Sequence, residues 1–126
     1  MSQTILGISY LHGYEVEVDY AEAFRLLSAA SAQGASRAIA NLAHMYAEGL
    51  GIPQNMDEAI RLYESAALRG EFIAQIDLAR IYARGIGVAA NPKAARHWYA
   101  TAVAQADRAN ASDEINEAKA YLADRP

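Results

Sequence analysis

Three tyrosines separated by 36 positions give this chain an internal period. Tyr10, Tyr46 and Tyr82 are each followed three residues later by a glycine. A period of roughly 20 to 50 residues is typical of solenoids, in which each unit buries its apolar face only against its neighbours. The period therefore predicts a repeat architecture. It indicates how the surface is built and not what the surface binds.

Each period predicts two helices joined by a turn. The first helix has a leucine and the tyrosine four residues apart on one face, and the following glycine ends it. The second helix begins at Asp19, Asn55 and Asn91, whose side chains are good N-caps. Glu22 and Glu58 stand where a carboxylate can reach back to the N–H of the cap residue. With its many alanines, which favour helices, the sequence predicts an all-α chain.

Two positions break the pattern. Glu15 replaces the glycine found at Gly51 and Gly87, so we expect the first turn to differ locally. Ala106 replaces the glycine that ends the second helix in the other repeats, so we expect the third such helix to run on to about 107–108. Residues 110–114 are typical of a new N-cap region, and a last helix with one apolar face follows.

Composition excludes several classes of protein. The chain has no cysteine, which rules out disulfides and thiolate chemistry and fits a reducing compartment. Its net charge is −4 and no basic stripe is present, which disfavours nucleic-acid binding. No apolar run approaches a membrane span, and the N-terminus lacks an export signal. We therefore expect a soluble, cytoplasmic protein that does not bind membranes.

The repeated pattern resembles a known family. Leu-small-x-x-Tyr-x-x-Gly-x-Gly-apolar, then Asp or Asn, then x-x-x-Ala-x-x-Leu/Trp-Tyr-x-x-Ala-x-x-x-Gly, is similar to the Sel-one-like repeat, a relative of the tetratricopeptide repeat. The likeness covers residues 6 to about 106 and favours the cysteine-free intracellular branch. It implies an all-α, right-handed α/α superhelical solenoid of three helix-turn-helix repeats of about 36 residues plus a C-terminal capping helix.

The resemblance also sets the expected boundaries and role. We expect a single domain over 1–126, with repeats at about 2–37, 38–73 and 74–109 and a capping helix at about 112–124. The family implies a non-catalytic scaffold or adaptor, often bacterial, that binds a protein or peptide in a concave groove lined by the first helix of each repeat. It implies no catalytic residue and no cofactor.

Positions that differ between repeats are the candidates for partner binding. On the first helices, one stripe at i, i+3 and i+7 lies beside the leucine and tyrosine face. Its members are Ile5, Ile8, His12, Asn41, His44, Glu48, Asp77, Arg80 and Arg84. We hypothesise that an extended or helical peptide docks there, with a carboxylate meeting Arg80 and Arg84. In the alternative interpretation these are solvated charges, with Asp77 pairing locally to either arginine.

Other functions have less support in the sequence. His44 and Glu48 are four residues apart but lack a third ligand, so we predict no metal site. No nucleophile stands with a base and an orienting residue, which disfavours an enzyme. Ile5 and Ile8 give the N-terminal end an apolar surface, and stacking of copies through this end is the alternative role. We expect a monomer or a weak homo-oligomer.

Overall fold

The chain folds entirely into helices over the part that the structure describes. The computed structural model describes residues 2–106 and 113–124, and this part contains seven helices and no strand. They are α1 (Gln3–His12), α2 (Tyr20–Ala32), α3 (Ser36–Glu48), α4 (Met56–Leu68), α5 (Phe72–Arg84), α6 (Pro92–Gln105) and α7 (Asp113–Asp124). The all-α prediction is confirmed.

The helices pack in chain order as a stack of pairs. Each odd-numbered helix from α1 to α5 packs against the even-numbered helix that follows it, and each pair then packs against the next. A buried cluster made mainly of leucine, isoleucine and alanine runs from α1 to α5. A second cluster lies between α5, α6 and α7, where Ala118 covers Ile76 and Ala79. Helix α7 thus packs on the last of the three pairs, at the position expected of a capping helix.

The helix boundaries follow the predicted caps. Gly13, Gly49 and Gly85 all have left-handed backbone, with φ of 76°, 66° and 69°, and each ends its helix. The side chains of Asp19 and Asn55 accept hydrogen bonds from the backbone N–H three residues later, both at 3.1 Å. Asn91 does the same and is followed by a proline at the start of α6. These features confirm the two-helix repeat.

The expected reach-back of Glu22 and Glu58 is wrong, because the cap N–H groups are already bound. Each cap residue donates its N–H to the carbonyl of the tyrosine nine positions earlier: Asp19 to Tyr10 at 2.9 Å, Asn55 to Tyr46 at 2.9 Å, and Asn91 to Tyr82 at 2.8 Å. The two glutamates instead pair with Arg25 and Arg61 one turn along their helices. The periodic tyrosines therefore hold the second helices by their backbone carbonyls.

The turn at Glu15 keeps the conformation of the other repeats, so the predicted local difference is also wrong. Glu15 has φ of 64°, close to 73° at both Gly51 and Gly87. The difference between repeats lies in the space around the residue. A Cβ added to Gly51 would lie 2.4 Å from the Cβ of Tyr20, and one added to Gly87 would lie 2.7 Å from the Cβ of Met56. Tyr20 and Met56 each begin the second helix of the preceding repeat, whereas Glu15 lies in the first repeat that the structure describes.

Helix α6 ends earlier than predicted. Its last residue is Gln105, and Ala106 has extended backbone with φ of −62° and ψ of 137°, so the expected extension to 107–108 is wrong. The side chain of Gln105 donates to the carbonyl of Gly70 and accepts from Gln75, which ties this helix end to the preceding repeat. Of the expected N-cap region at 110–114, residues 110–112 lie outside the described residues, and 113–114 begin α7.

Candidate functional site

Two adjoining cavities lie along the face formed by the first helix of each repeat. The first has a volume of about 370 Å³ and the second about 190 Å³. Both are lined by His44 and Asp77, so they meet at these two residues. The two cavities together are called the groove below. The groove runs from α1 across α3 to α5 and is open to solvent.

The predicted residues line this groove, with one exception. Ile8, His12 and Asn41 line the first cavity, and Glu48, Arg80 and Arg84 line the second, in addition to the shared His44 and Asp77. Ile5 lines neither cavity; half of its surface is exposed to solvent on α1. The structure thus brings eight of the nine sequence-predicted residues to one continuous surface, which leaves their role in binding as a prediction.

The groove also contains residues that the sequence reasoning missed. Arg37 and Ile73 share one slot of the repeat, four residues before Asn41 and Asp77, so extending the stripe by one turn would have found them. Tyr14 and Glu71 complete the first cavity and lie outside the first-helix stripe. In the second cavity the missed polar residue is Tyr63, whose slot in the repeat is otherwise typical of core packing.

Arg80 is bound within the chain by the capping helix. Its Nε donates to Glu117 at 2.9 Å and its Nη2 donates to the same carboxylate at 2.6 Å. The hydroxyl of Tyr99 donates to Glu117 as well, at 2.8 Å. These hydrogen bonds, that of Arg80 above all, hold the pKa of the Glu117 carboxyl below its usual value. Arg80 is therefore engaged by an internal carboxylate from α7.

Asp77 contacts the third nitrogen of the Arg80 guanidinium. The Nη1 of Arg80 lies 3.3 Å from the Asp77 carboxylate, which is the local pairing of the alternative interpretation. The Asp77 side chain is 27% exposed, and its burial raises the pKa of its carboxyl even though Arg80 and His44 act in the opposite direction. The effects of Arg80 and His44 on the pKa of Asp77 are thus smaller than the effect of burial.

Tyr63 presents a hydroxyl to the same cavity. Only 3% of this residue is exposed, and in the described part of the chain its hydroxyl has no hydrogen-bond partner. Burial raises the pKa of Tyr63, and the negative charges of Asp77 and Glu48 raise it further. The phenol and the two carboxylates belong to residues that line the same cavity. All three are hydrogen-bond acceptors when the carboxylates are ionised.

The other two arginines of the groove have no ion-pair partner in the part of the chain that the structure describes. Among the described residues, no carboxylate lies within ion-pair distance of Arg37 in the first cavity or of Arg84 in the second. Both arginines are exposed, so solvent screens their charges. The groove therefore has an exposed cation in each cavity and one partly buried carboxylate, Asp77, where the cavities meet.

The described residues show neither a metal cluster nor a membrane span. Within residues 2–106 and 113–124, no three side chains among His, Asp and Glu are grouped so that they could hold a metal ion. None of the helices α1 to α7 is long and apolar enough to cross a bilayer. What the groove offers chemically is a set of charged, polar and apolar contacts along an open surface.

Comparison with known proteins identifies the repeat. The family model of the Sel1 repeat matches residues 1–34, 36–71 and 73–107. The chain belongs to the Sel1 repeat family. Sel1 repeat proteins generally mediate protein–protein interactions. No sequence among curated proteins matches this chain.

Two solved structures of Sel1-like repeat proteins resemble the chain. A Sel1 repeat protein from Oxalobacter formigenes is 38% identical, with a TM-score of 0.76 over 97% of this chain and 86% of that one. The protein c5321, a protective antigen of uropathogenic Escherichia coli with an SLR fold, is 28% identical with a TM-score of 0.79. The match covers 94% of this chain and only 28% of c5321. Both likenesses support the helical repeat fold.

Proposed function

We propose that this Sel1 repeat chain is a non-catalytic scaffold or adaptor that binds a peptide or protein segment in the groove. The observation that carries the proposal is the separation of the repeat into two sets of positions. Positions that stay the same form the caps and the core, whereas positions that vary between repeats line the groove. A surface that varies on a constant scaffold is what selective recognition of a partner requires.

The first cavity suits an apolar side chain of the partner. Ile73 is 46% exposed and Tyr14 is 59% exposed, and both line this cavity with the half-buried Ile8. Covering these side chains removes apolar surface from water, which stabilises the complex. The polar neighbours of these residues orient a ligand without contributing a catalytic group. We accordingly propose that the chain is not an enzyme.

A matched pair of variants tests the groove. Ile73→Glu places a charge in the first cavity, and Leu68→Glu places the same charge on α4 at a side chain that is 78% exposed and outside the groove. The natural partner, captured from the native lysate by the wild-type protein, should be lost with Ile73→Glu and retained with Leu68→Glu. Equal capture by the two variants would remove the groove from consideration as the binding surface.

The alternative role, stacking of copies through the N-terminal end, has mixed support. The exposure of Ile5 on α1 favours it. Glu15 disfavours it. A copy stacked as one repeat stacks on the next would bring a side chain against Glu15 as closely as Tyr20 approaches the equivalent Gly51, where a Cβ would lie 2.4 Å from the Cβ of Tyr20. Light scattering at high protein concentration tests this role, and a strict monomer would rule it out. We propose a monomer or weak homo-oligomer that acts in the cytoplasm, since a chain without cysteine suits a reducing compartment.

A further inference from the structure

The turns that join the two helices of each repeat lie side by side along one edge of the array. They are residues 13–19, 49–55 and 85–91. A Cβ added to Gly51 in the second turn would lie 2.4 Å from the Cβ of Tyr20, at the start of α2. A Cβ added to Gly87 in the third turn would lie 2.7 Å from the Cβ of Met56, at the start of α4. Each turn thus packs on the preceding repeat, and the three turns together are called the turn edge below.

The turn edge carries exposed apolar side chains. Tyr14 is 59% exposed, Val18 is 51% exposed and Ile86 is 41% exposed. These are three of the six large apolar residues that are exposed in the described part of the chain. The backbone N–H of Ile86 donates to the carbonyl of Ile81 at 3.1 Å, which closes α5 and fixes where the side chain of Ile86 stands. Exposed apolar residues that cluster in this way indicate a contact surface.

The first turn of this edge is acidic. It carries Glu15, Glu17 and Asp19, and all three side chains are exposed. Residues 1–24 contain no lysine or arginine. Among the described residues, no cation lies within ion-pair distance of these three carboxylates. The N-terminal end of the turn edge is therefore negative.

The third turn is flanked by cations. Lys93 follows it at the start of α6, and Arg84, which also lines the second cavity, precedes it at the end of α5. Lys93 is exposed and has no ion-pair partner in the described chain, and residues 78–105 contain no aspartate or glutamate. The middle turn has no charge of its own, and Glu48 and Asp57 flank it. The sign of the charge therefore changes between the second and third repeats.

We infer that two copies of this chain associate through the turn edge in antiparallel orientation, so that the first turn of each copy faces the third turn of the other. A two-fold axis then brings Lys93 of each copy against the acidic first turn of the second copy, and the contact is made twice. A parallel arrangement would place like charges together. A second copy matches both ends of the edge at once, whereas a ligand of a single charge would match only one end.

The apolar residues lie between the matched charges in this arrangement. Tyr14 and Val18 of one copy face the third turn of the other, which presents Ile86. An apolar centre with a charged rim is the usual composition of a protein interface. Glu48 and Asp57 lie nearest the two-fold axis, and each faces its counterpart in the second copy. Both are exposed, so solvent screens this repulsion, but it keeps the association weak.

Analytical ultracentrifugation of the whole chain measures the equilibrium between monomer and dimer. Lys93→Glu and Glu17→Lys should each weaken the dimer about tenfold, because each turns two symmetry-related attractions into repulsions. The double variant exchanges the two charges and should regain the affinity of the wild type. Lys119→Glu is the matched control, since it makes the same charge change at an exposed residue of α7, away from the turns, and should have no effect. All three substituted side chains are exposed, so the variants should fold.

Cross-linking tests the orientation separately. The chain has no cysteine, so an introduced one reports on a single position. Protein carrying Glu17→Cys is mixed with protein carrying Lys93→Cys and treated with a short bis-maleimide. The antiparallel dimer should give a cross-linked dimer in the mixture and much less in either variant alone. A parallel dimer would instead cross-link most in the sample that carries only Glu17→Cys, and this result would overturn the inference.

The equilibrium measurements can also overturn it. A strict monomer at about 1 mM protein in low salt would do so, since even weak association is populated at that concentration. A dimer of unchanged affinity in both Lys93→Glu and Glu17→Lys would do so as well. A dimer that is lost with Ile5→Glu and retained with Lys93→Glu would assign the contact to the N-terminal end instead. Capture of a groove partner, tested with Ile73→Glu, is a separate measurement and does not decide between these outcomes.

Discussion

Removing the charge of Glu117 tests whether the capping helix is held by the contact with Arg80. Glu117→Gln keeps the shape of the side chain but removes the carboxylate that accepts from Arg80 at 2.6 and 2.9 Å and from Tyr99 at 2.8 Å. A hydrogen bond to a charged group contributes about 1.5–3 kcal/mol, whereas an exposed ion pair contributes about 0–1 kcal/mol. Both side chains of this pair are 30% exposed. We therefore expect a loss of about 1.5–2 kcal/mol, at the low end of the first range.

The assay has a global and a local part. Thermal unfolding should show a melting temperature lower by roughly 5–10 °C for a domain of this size. Amide hydrogen exchange should accelerate in α7 more than in α3, because repeat arrays open from their ends. Glu114→Gln on the same helix is the matched control, since no ion pair to Glu114 is present among the described residues.

The pH dependence provides the refuting result. Because the hydrogen bonds from Arg80 and Tyr99 lower the folded-state pKa of Glu117, its contribution to stability is fully present above the unfolded pKa of about 4.3. The contribution is lost as the pH falls through the lower folded-state pKa. The difference in unfolding free energy between wild type and Glu117→Gln should thus be constant from pH 7 to pH 5 and shrink below about pH 4. A difference independent of pH, or an equal loss in Glu114→Gln, would refute the reasoning.

Three further changes test the repeat itself by chemical denaturation. Gly51→Ala should destabilise the fold by about 2 kcal/mol or more, because the residue has φ of 73° and the added Cβ would lie 2.4 Å from that of Tyr20. Glu15→Gly should instead stabilise it by about 1 kcal/mol, since glycine adopts the left-handed backbone with φ of 64° without the strain that a Cβ causes. Asn55→Ala should lower stability by about 1 kcal/mol through loss of the cap to the Glu58 N–H, and an unchanged midpoint would contradict this role.

The repeat architecture could be predicted from the sequence because each periodic residue has a local backbone task. Glycine at Gly49 permits the left-handed end of α3, and Asn55 caps the next helix seven residues after α3 ends. Both tasks depend only on neighbouring residues, so they recur wherever the residues recur. The predicted reach-back of Glu58 to the N–H of Asn55 is wrong because a residue outside this local segment decides the outcome. The N–H of Asn55 donates a hydrogen bond to the carbonyl of Tyr46, nine residues earlier, and is therefore not available to Glu58.

The contacts that decide the groove could not be predicted, because they join the repeats to a helix outside the period. Glu117 lies on α7 and has no counterpart in the repeats, so no alignment at 36 residues places it against Arg80. Tyr63 is almost fully buried, as is Tyr99 in the equivalent position of the next repeat. The periodic pattern carried no information that its hydroxyl would lack a partner, since the equivalent Tyr99 donates to Glu117.

Glu117 therefore links the stability of the cap to the charge of the groove. While Glu117 holds the Nε and Nη2 of Arg80, Asp77 is left with the Nη1 contact at 3.3 Å and remains under-compensated. In Glu117→Gln the guanidinium loses its charged partner in α7, and Asp77 becomes its only carboxylate among the described residues. Fuller pairing of Asp77 should then lower the pKa of its carboxyl, because the negative charge of Glu117 that helps to raise this pKa is also removed, although residue 117 does not line the second cavity. An unchanged pKa of the Asp77 carboxyl, followed by NMR titration well below the melting temperature with Glu114→Gln alongside, would show that the cap and the groove act independently.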